Sequence, residues 1–475
     1  KWYYYNPRMR ISTALSATTS ALFLSLDQTE CLNILLVKSS AFTARKNHRA
    51  VSNNAFRSKL LKTNNIVQIF SGIGNNNDNN SDDNVLLESL KKRANELQIQ
   101  NEALLQRWKD AKCTSKARIV IDDWVRRISL GKWPYVAIGS AGGSLYLADC
   151  NTCEIVAQVK NIHIPAGGDD EAISYLHGVY DGGGTLAIAM TGTRVASAGR
   201  EGGAKIFNIV TPNNEEENTN NKNTAKKNLV PVGELTTLKG ALVTSLFMDN
   251  EEQLWVGCYD GNLHVFDLDS ISIIKNTTMR LEAGVLCVDV NNDIGLAVCG
   301  MTNGSVKMFS MDGAVLALWK PFSSSTFVRS VKIVGGPDDN SWCVVAGSGD
   351  GQIMARQLLL DSAGMIESVP FDNQRSTVDF APQHGGSIVS FATRRGGLLI
   401  SAAQDGTIRV WDCWAASRNT NSNYSGFEVK PKLLYNFVGY KVWLGSVCSD
   451  GSYLLSDGSD NAIIVHDFSV PVNYD

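Results

Sequence analysis

Three groups of side chains in this sequence have the types that chemistry uses. Cys150-Asn151-Thr152-Cys153 is a CxxC pair. Such thiolates can hold zinc or exchange a disulfide. A structural zinc site takes four ligands, however, and no second pair accompanies this one. The pair therefore reads as a turn. The segment His163–Gly184 (HIPAGGDDEAISYLHGVYDGGG) carries Asp169, Asp170, Glu171, His177 and Asp181. Carboxylates beside an imidazole can chelate a metal. A loop of this length more often contacts a partner, and the five residues are read as a candidate partner-contact loop. Serine, histidine and aspartate are all present, but no Gly-x-Ser-x-Gly elbow exposes a nucleophile. Glycine pairs fall in hairpins rather than between a strand and a helix, so they cradle no phosphate. No catalytic residue, metal ligand or cofactor site is assigned, and the chain is read as not an enzyme.

Bulk composition agrees with that reading. Of 475 residues 44% are hydrophobic, which is ample for a large core. Lys and Arg number 44 and Asp and Glu 47, so the net charge of −3 is near neutral. Chains built to neutralise phosphates are usually strongly basic, which makes nucleic acid an unlikely partner class. No run reaches the ~18–20 apolar residues of a membrane span, so no membrane insertion is expected. Ten cysteines are scattered through apolar runs, as buried free thiols in a reducing compartment would be.

The elements that must position these groups begin late. Residues 1–70 read as a targeting leader without a packed core. From Met9 there is a basic start at Arg10, then the mildly apolar run 14–26. Residues 31–77 hold no Asp or Glu but carry Lys38, Arg45, Lys46, Arg49, Arg57, Lys59 and Lys62 among many hydroxyl and amide side chains. That is a transit-peptide composition. With Ser39-Ser40-Ala41-Phe42-Thr43-Ala44 between the apolar run and the basic tail, the leader resembles the bipartite plastid presequences of algae, which are cleaved at an Ala-Phe motif. The resemblance implies a plastid location, against the alternative of cytoplasm or nucleus. Residues 27–37 lengthen the gap before the motif, and residues 1–8 precede Met9; both depart from the pattern. Residues 71–84 form an Asn-rich linker. Over 85–112, Leu87, Leu90, Ala94, Leu97, Asn101, Leu104, Trp108 and Ala111 recur at 3,4 spacing. The spacing predicts an amphipathic helix, packed on its own chain or paired in a coiled-coil homodimer through 85–112.

From 117 to 475 one unit recurs seven times: a short apolar strand, a small-residue turn, and an alternating strand. The turn positions are Gly143, Gly202, Gly261, Gly304, Gly351, Gly406 and Asn461. Such turns need positive φ, which Gly and Asn supply most readily. Alternation in the flanking strands predicts half-burial. A period of roughly 40–45 residues plus insertions predicts an all-β, seven-bladed propeller of four-stranded antiparallel blades. The last unit lacks an outer strand after Asp467, and Ala117–Ile121 is expected to supply it by pairing outside Ala462–Asp467. The charged insertion 211–228 is expected on the same face of the ring as the 163–184 loop.

These repeats resemble the WD-repeat family. The sixth unit is the clearest copy, with His384, Ser401, Asp405 and Trp411-Asp412. The resemblance implies that His384, Ser401, Asp405 and Trp411 form a buried, structural hydrogen-bond set. Elsewhere Phe207, Phe266, Phe309, Arg356 and His466 occupy the Trp position, and only the second and last copies keep the serine, as Ser197 and Ser456. Arg356 is expected to face solvent. The family also implies a non-catalytic scaffold that holds one or more protein partners. Alternatives are a substrate receptor of a cullin-type ubiquitin ligase, although Trp411-Asp412-Cys413-Trp414 lacks the expected Arg, and an RNA or ribosome-assembly factor.

Overall fold

A computed structural model describes residues 81–470 outside 165–183, 212–226, 236–237, 239, 250–252, 270–271, 274–277, 359, 361–365, 367–376, 416–428, 441–443 and 460. The leader 1–70 and residues 71–80 of the linker lie outside the described residues. The chain divides into two compact units, 1–97 and 98–475. Of the first, residues 81–97 are described, as part of a helix Ser81–Lys109. Glu88 pairs there with Lys91 at 3.2 Å and Arg93 with Glu96 at 3.3 Å, both one turn apart. Each such exposed pair adds a few tenths of a kcal/mol. The helix stops before Ala111, whose φ of 57° is left-handed and cannot continue it.

The second unit holds seven antiparallel sheets, and in all but blade 7 the strands run in chain order from the inside out. Blade 6, for example, runs Ile388–Arg394, Leu398–Ala403, Ile408–Asp412 and Lys432–Phe437. Blade 7 is completed from the far end of the described chain. Thr114–Val120 pairs antiparallel with Ala462–Asp467, with Ile119 opposite Ile463. Blade 3 has its outer position split between Ser272–Ile273 and Met279–Arg280. Each inner strand touches the next, and that of blade 7 touches that of blade 1, so the ring is closed. All seven turn positions have positive φ, from 58° at Asn461 to 92° at Gly351.

The core lies between blades. Seven apolar clusters fill the seven junctions. Within one strand, Leu254 and Val256 face blade 2 while Trp255 faces blade 4. Second strands such as Leu398–Ala403 are therefore buried throughout, rather than half-buried as alternation suggested. Both faces of a blade meet a neighbour, so neither is left for water. Arg356 corrects the sequence reading too. It is only 3% exposed, on the strand face shared by Met354 and Leu358, and its Nη2 finds no hydrogen-bond acceptor. The strand is not shifted: Arg356 pairs in register with Val344 and Thr377.

Side chains of the inner strands also bind neighbouring blades to one another. Ser446 of blade 7 donates to Ile128 O at 3.3 Å, and Arg127 of blade 1 donates to Leu186 O at 2.9 Å. Ser245 accepts Val288 N at 3.0 Å, and Ser390 donates to Val447 O at 3.2 Å. Between blades 4 and 5, Asp289 accepts Ile333 N at 2.8 Å.

Strand directions define two faces of the ring. The turn face carries the seven Gly/Asn turns and the links between blades. The opposite, helix face receives residues 98–109. Leu104 and Leu105 pack on the cluster between blades 6 and 7. Trp108 is wholly buried, stacked on Phe468 at 3.7 Å, and donates from Nε1 to Gly451 O at 2.9 Å. Arg107 caps Phe468 O at 2.6 Å, and Lys109 pairs with Asp412 at 2.7 Å. Leu104 and Trp108, two positions of the heptad seam, are thus packed on the propeller.

Closure makes a quantitative prediction. Ile119→Ala should lower the unfolding free energy by about 2–5 kcal/mol, the usual cost of emptying a packed site. Val120→Ala, at a side chain 56% exposed on the same strand, should shift it by no more than about 0.5 kcal/mol. Urea unfolding followed by circular dichroism compares the two.

Candidate functional site

Blade 6 brings His384, Ser401, Asp405 and Trp411 together. Trp411 Nε1 donates to Ser401 Oγ at 2.9 Å. Ser401 Oγ lies 2.8 Å from His384 Nε2, and His384 Nδ1 lies 3.0 Å from Asp405. Serine, histidine and acid in this order are the parts of a nucleophilic triad. The surroundings exclude that use. Ser401 is wholly buried, and its oxygen already serves Trp411. Burial, aided by the positive charge of Arg409 and opposed by Asp405, holds the imidazole pKa down to about 4. A general base works best with a pKa near the working pH and must reach substrate. What the set does is satisfy three buried polar groups through one half-buried carboxylate, each buried group being costly if left unpaired.

A second set occurs in blade 2. His163 Nε2 lies 2.8 Å from Ser197 Oγ, and His163 Nδ1 pairs with Glu201. Phe207 sits at the tryptophan position and is buried. The sequence reading placed His163 at the start of a surface loop and missed this role. Its histidine is 34 residues ahead of the serine, against 17 in blade 6, because the 163–184 segment intervenes. The backbone gives a second signal. His163 N donates to Gly143 O and His384 N to Gly351 O, each on the turn of the preceding blade. A Cβ at Gly143 would stand 2.2 Å from His163 O, so only glycine permits the approach. In blade 7 Tyr440 stands in for the histidine, 3.0 Å from Ser456, with His466 at the tryptophan position 3.4 Å from Tyr440.

The other candidates fare differently. Cys150 and Cys153 lie in the turn between the third and outer strands of blade 1. Burial pushes the Cys150 thiol up to about 12, far from a reactive thiolate. Among the described residues every cysteine is free and no group of side chains is placed to hold a metal ion. Asp169, Asp170, Glu171, His177 and Asp181 lie outside the described residues. The ends of their loop are on the turn face, joined by Gly184 N donating to Ile164 O at 2.6 Å. Residues 212–226 of the charged insertion lie outside the described residues; its ends follow the third strand and precede the outer strand of blade 2, at the helix-face end of that blade.

Two features of the turn face were not read from the sequence. Trp124 is 67% exposed at the rim of blade 1. Asp123 accepts the Trp124 N–H at 2.7 Å and the Gly142 N–H at 2.6 Å, fixing the backbone beneath it. Val120, Ile164 and Val438 are also exposed, and strand directions place them on the same face along the arc from blade 6 to blade 2. Within the ring, the seven inner strands line a channel of about 370 Å³. Nothing in the pattern of a single strand marks which residue will border a channel.

Buried imidazoles set the pH response. Burial holds His466, like His384, down to about 4. As pH falls below about 6.5 the unfolded chain protonates both, while the folded chain does so only near 4. The unfolded state then binds more protons, so acid costs stability. Asp457 acts in the other direction: burial raises its carboxyl to about 7, so the fold keeps a proton that the unfolded chain has lost. Two imidazoles against one carboxyl leave a net of about one proton. The unfolding free energy should fall by roughly 3 kcal/mol between pH 6.5 and pH 4. Asp457→Asn should steepen that fall, and a flat profile in urea titrations would contradict the account.

A family model described as WD domain, G-beta repeat matches residues 377–412. The chain is similar to Transcription initiation factor TFIID subunit 5 of Caenorhabditis elegans, at 26% identity over 203 residues, or 42% of this chain. The match covers 25% of that relative, so the chain spans about a quarter of the relative's length. The matched repeat takes in the outer strand of blade 5 and the first three of blade 6, ending where the complete hydrogen-bond set ends. Six further blades share its strand plan, and the matched repeat together with the seven-bladed ring supports the WD-repeat propeller family.

Proposed function

We propose that the chain is a non-catalytic scaffold that holds partner proteins on its turn face, and that it works in a plastid. Trp124 carries the first part. Exposed tryptophan is costly to leave in water and is over-represented among the residues that dominate protein interfaces. This one stands on backbone already fixed by Asp123, so little order is lost when a partner covers it. The burial of both His–Ser–acid sets supports the non-catalytic reading. Composition of the leader supports the plastid, and no helix among the described residues is long and apolar enough to cross a membrane. A second reading, a subunit of a transcription-initiation assembly, draws on the name of the relative and the similarity to it.

Affinity purification of the tagged chain tests the scaffold. Proteins recovered with the natural chain should be lost with Trp124→Ala, at an unchanged melting temperature. Recovery that ignores the substitution removes Trp124 from the interface, and recovery of nothing removes the scaffold. Residues 9–70 fused to a fluorescent reporter should enter plastids; a cytosolic or nuclear signal rejects that location.

A further inference from the structure

Trp124 has two anchored carboxylates directly ahead of it in the chain. Asp122 and Trp124 both face solvent, with Asp123 half-buried between them. The buried Tyr146 donates its hydroxyl to Asp122 Oδ1 at 2.5 Å, and that bond holds the Asp122 carboxyl below the usual range. The other oxygen, Oδ2, lies 3.5 Å from Lys160 Nζ, and both side chains of that pair are 63% exposed. An ion pair so open to water is worth little, and another cation can take the place of the lysine. Asp123 accepts from the Trp124 and Gly142 N–H groups, so it too is fixed in place. Arg126, two residues on, is half-buried and already has a partner. An apolar partner surface laid on the indole would also dry the carboxylate beside it, which is costly unless a charge or donor replaces the water. A cation gains from the ring and the carboxylate at once.

We propose that the Trp124 rim receives an arginine side chain of the partner protein, stacked on the indole and paired with Asp122 in place of Lys160. This names the partner chemistry of the scaffold's surface and rests on that reading. The face of an indole is the negative side of its ring quadrupole and attracts cations more strongly than other aromatic faces do. A guanidinium is planar and weakly hydrated, so it stacks on the ring while an N–H at its edge donates to a carboxylate; the compact, strongly hydrated ammonium of lysine suits this less. Asp260 and Asp350, exposed on the turns of blades 3 and 5, favour the approach of a basic segment to this face over an acidic one.

Two measurements on the full chain test the arginine. The first repeats the purification above with Asp122→Asn, which keeps an acceptor for Tyr146 but removes the charge. Where Trp124-dependent proteins are recovered, they decide: loss in Asp122→Asn supports the proposal, and equal recovery overturns it while leaving the scaffold standing. Should Asp122→Asn not fold, Trp124→Phe and Trp124→Leu replace it. Retention with the ring of Phe and loss with Leu supports the proposal, and equal loss in both overturns it. Where no Trp124-dependent protein is recovered, that part of the scaffold reading fails and the second measurement decides alone. A dye-labelled peptide Gly-Arg-Gly-Arg-Gly, titrated with the chain at low salt and followed by fluorescence polarisation, should bind the natural protein. Binding should be at least roughly fivefold weaker in Trp124→Leu and in Asp122→Asn, and absent when citrulline replaces arginine. No binding, or binding that ignores either substitution, overturns the site.

Discussion

No blade in this protein can bury its own two faces. A second strand such as Leu398–Ala403 presents apolar side chains both ways, and each side needs another blade. The requirement is passed around the ring until it returns to its start, so stability rests on one pairing, Thr114–Val120 with Ala462–Asp467. The inner-strand contacts, from Ser446 to Ile128 through Ser390 to Val447, act only once neighbouring blades are present. Rigidity of the channel and of the Trp124 rim is a consequence of that closure.

Much of this was legible because it depends on local chemistry. A turn that needs positive φ shows itself as Gly143 or Asn461 wherever it occurs, and an apolar run without another partner pointed to the closing strand. What failed depended on neighbours. Half-burial and solvent exposure of Arg356 were inferred one strand at a time. Each was overturned by what lies across a blade junction. His163 was hidden by an insertion that stretched its spacing to Ser197.

The same residue types do opposite work according to their access to water. In an open cleft His384, Ser401 and Asp405 would suggest proton transfer. Enclosed with Trp411, they saturate one another and leave nothing to react. The rim inverts this pattern, since Trp124 keeps its surface in water. Function in such a ring concentrates where satisfaction of polar and apolar groups is left incomplete.

The helix end and closing strand are encoded ahead of blade 1, whereas Phe468 and Ala462–Asp467 are encoded after blades 1 to 6. During synthesis Ile119 and Trp108 therefore leave the ribosome some 340 and 360 residues before Ile463 and Phe468, respectively. At elongation rates of about 5–20 residues per second, a bare strand edge and an indole wait tens of seconds for cover. Such an interval is an opening for chaperones and for mispairing between nascent chains. Chain order thus makes this propeller's assembly a problem of timing as much as of packing.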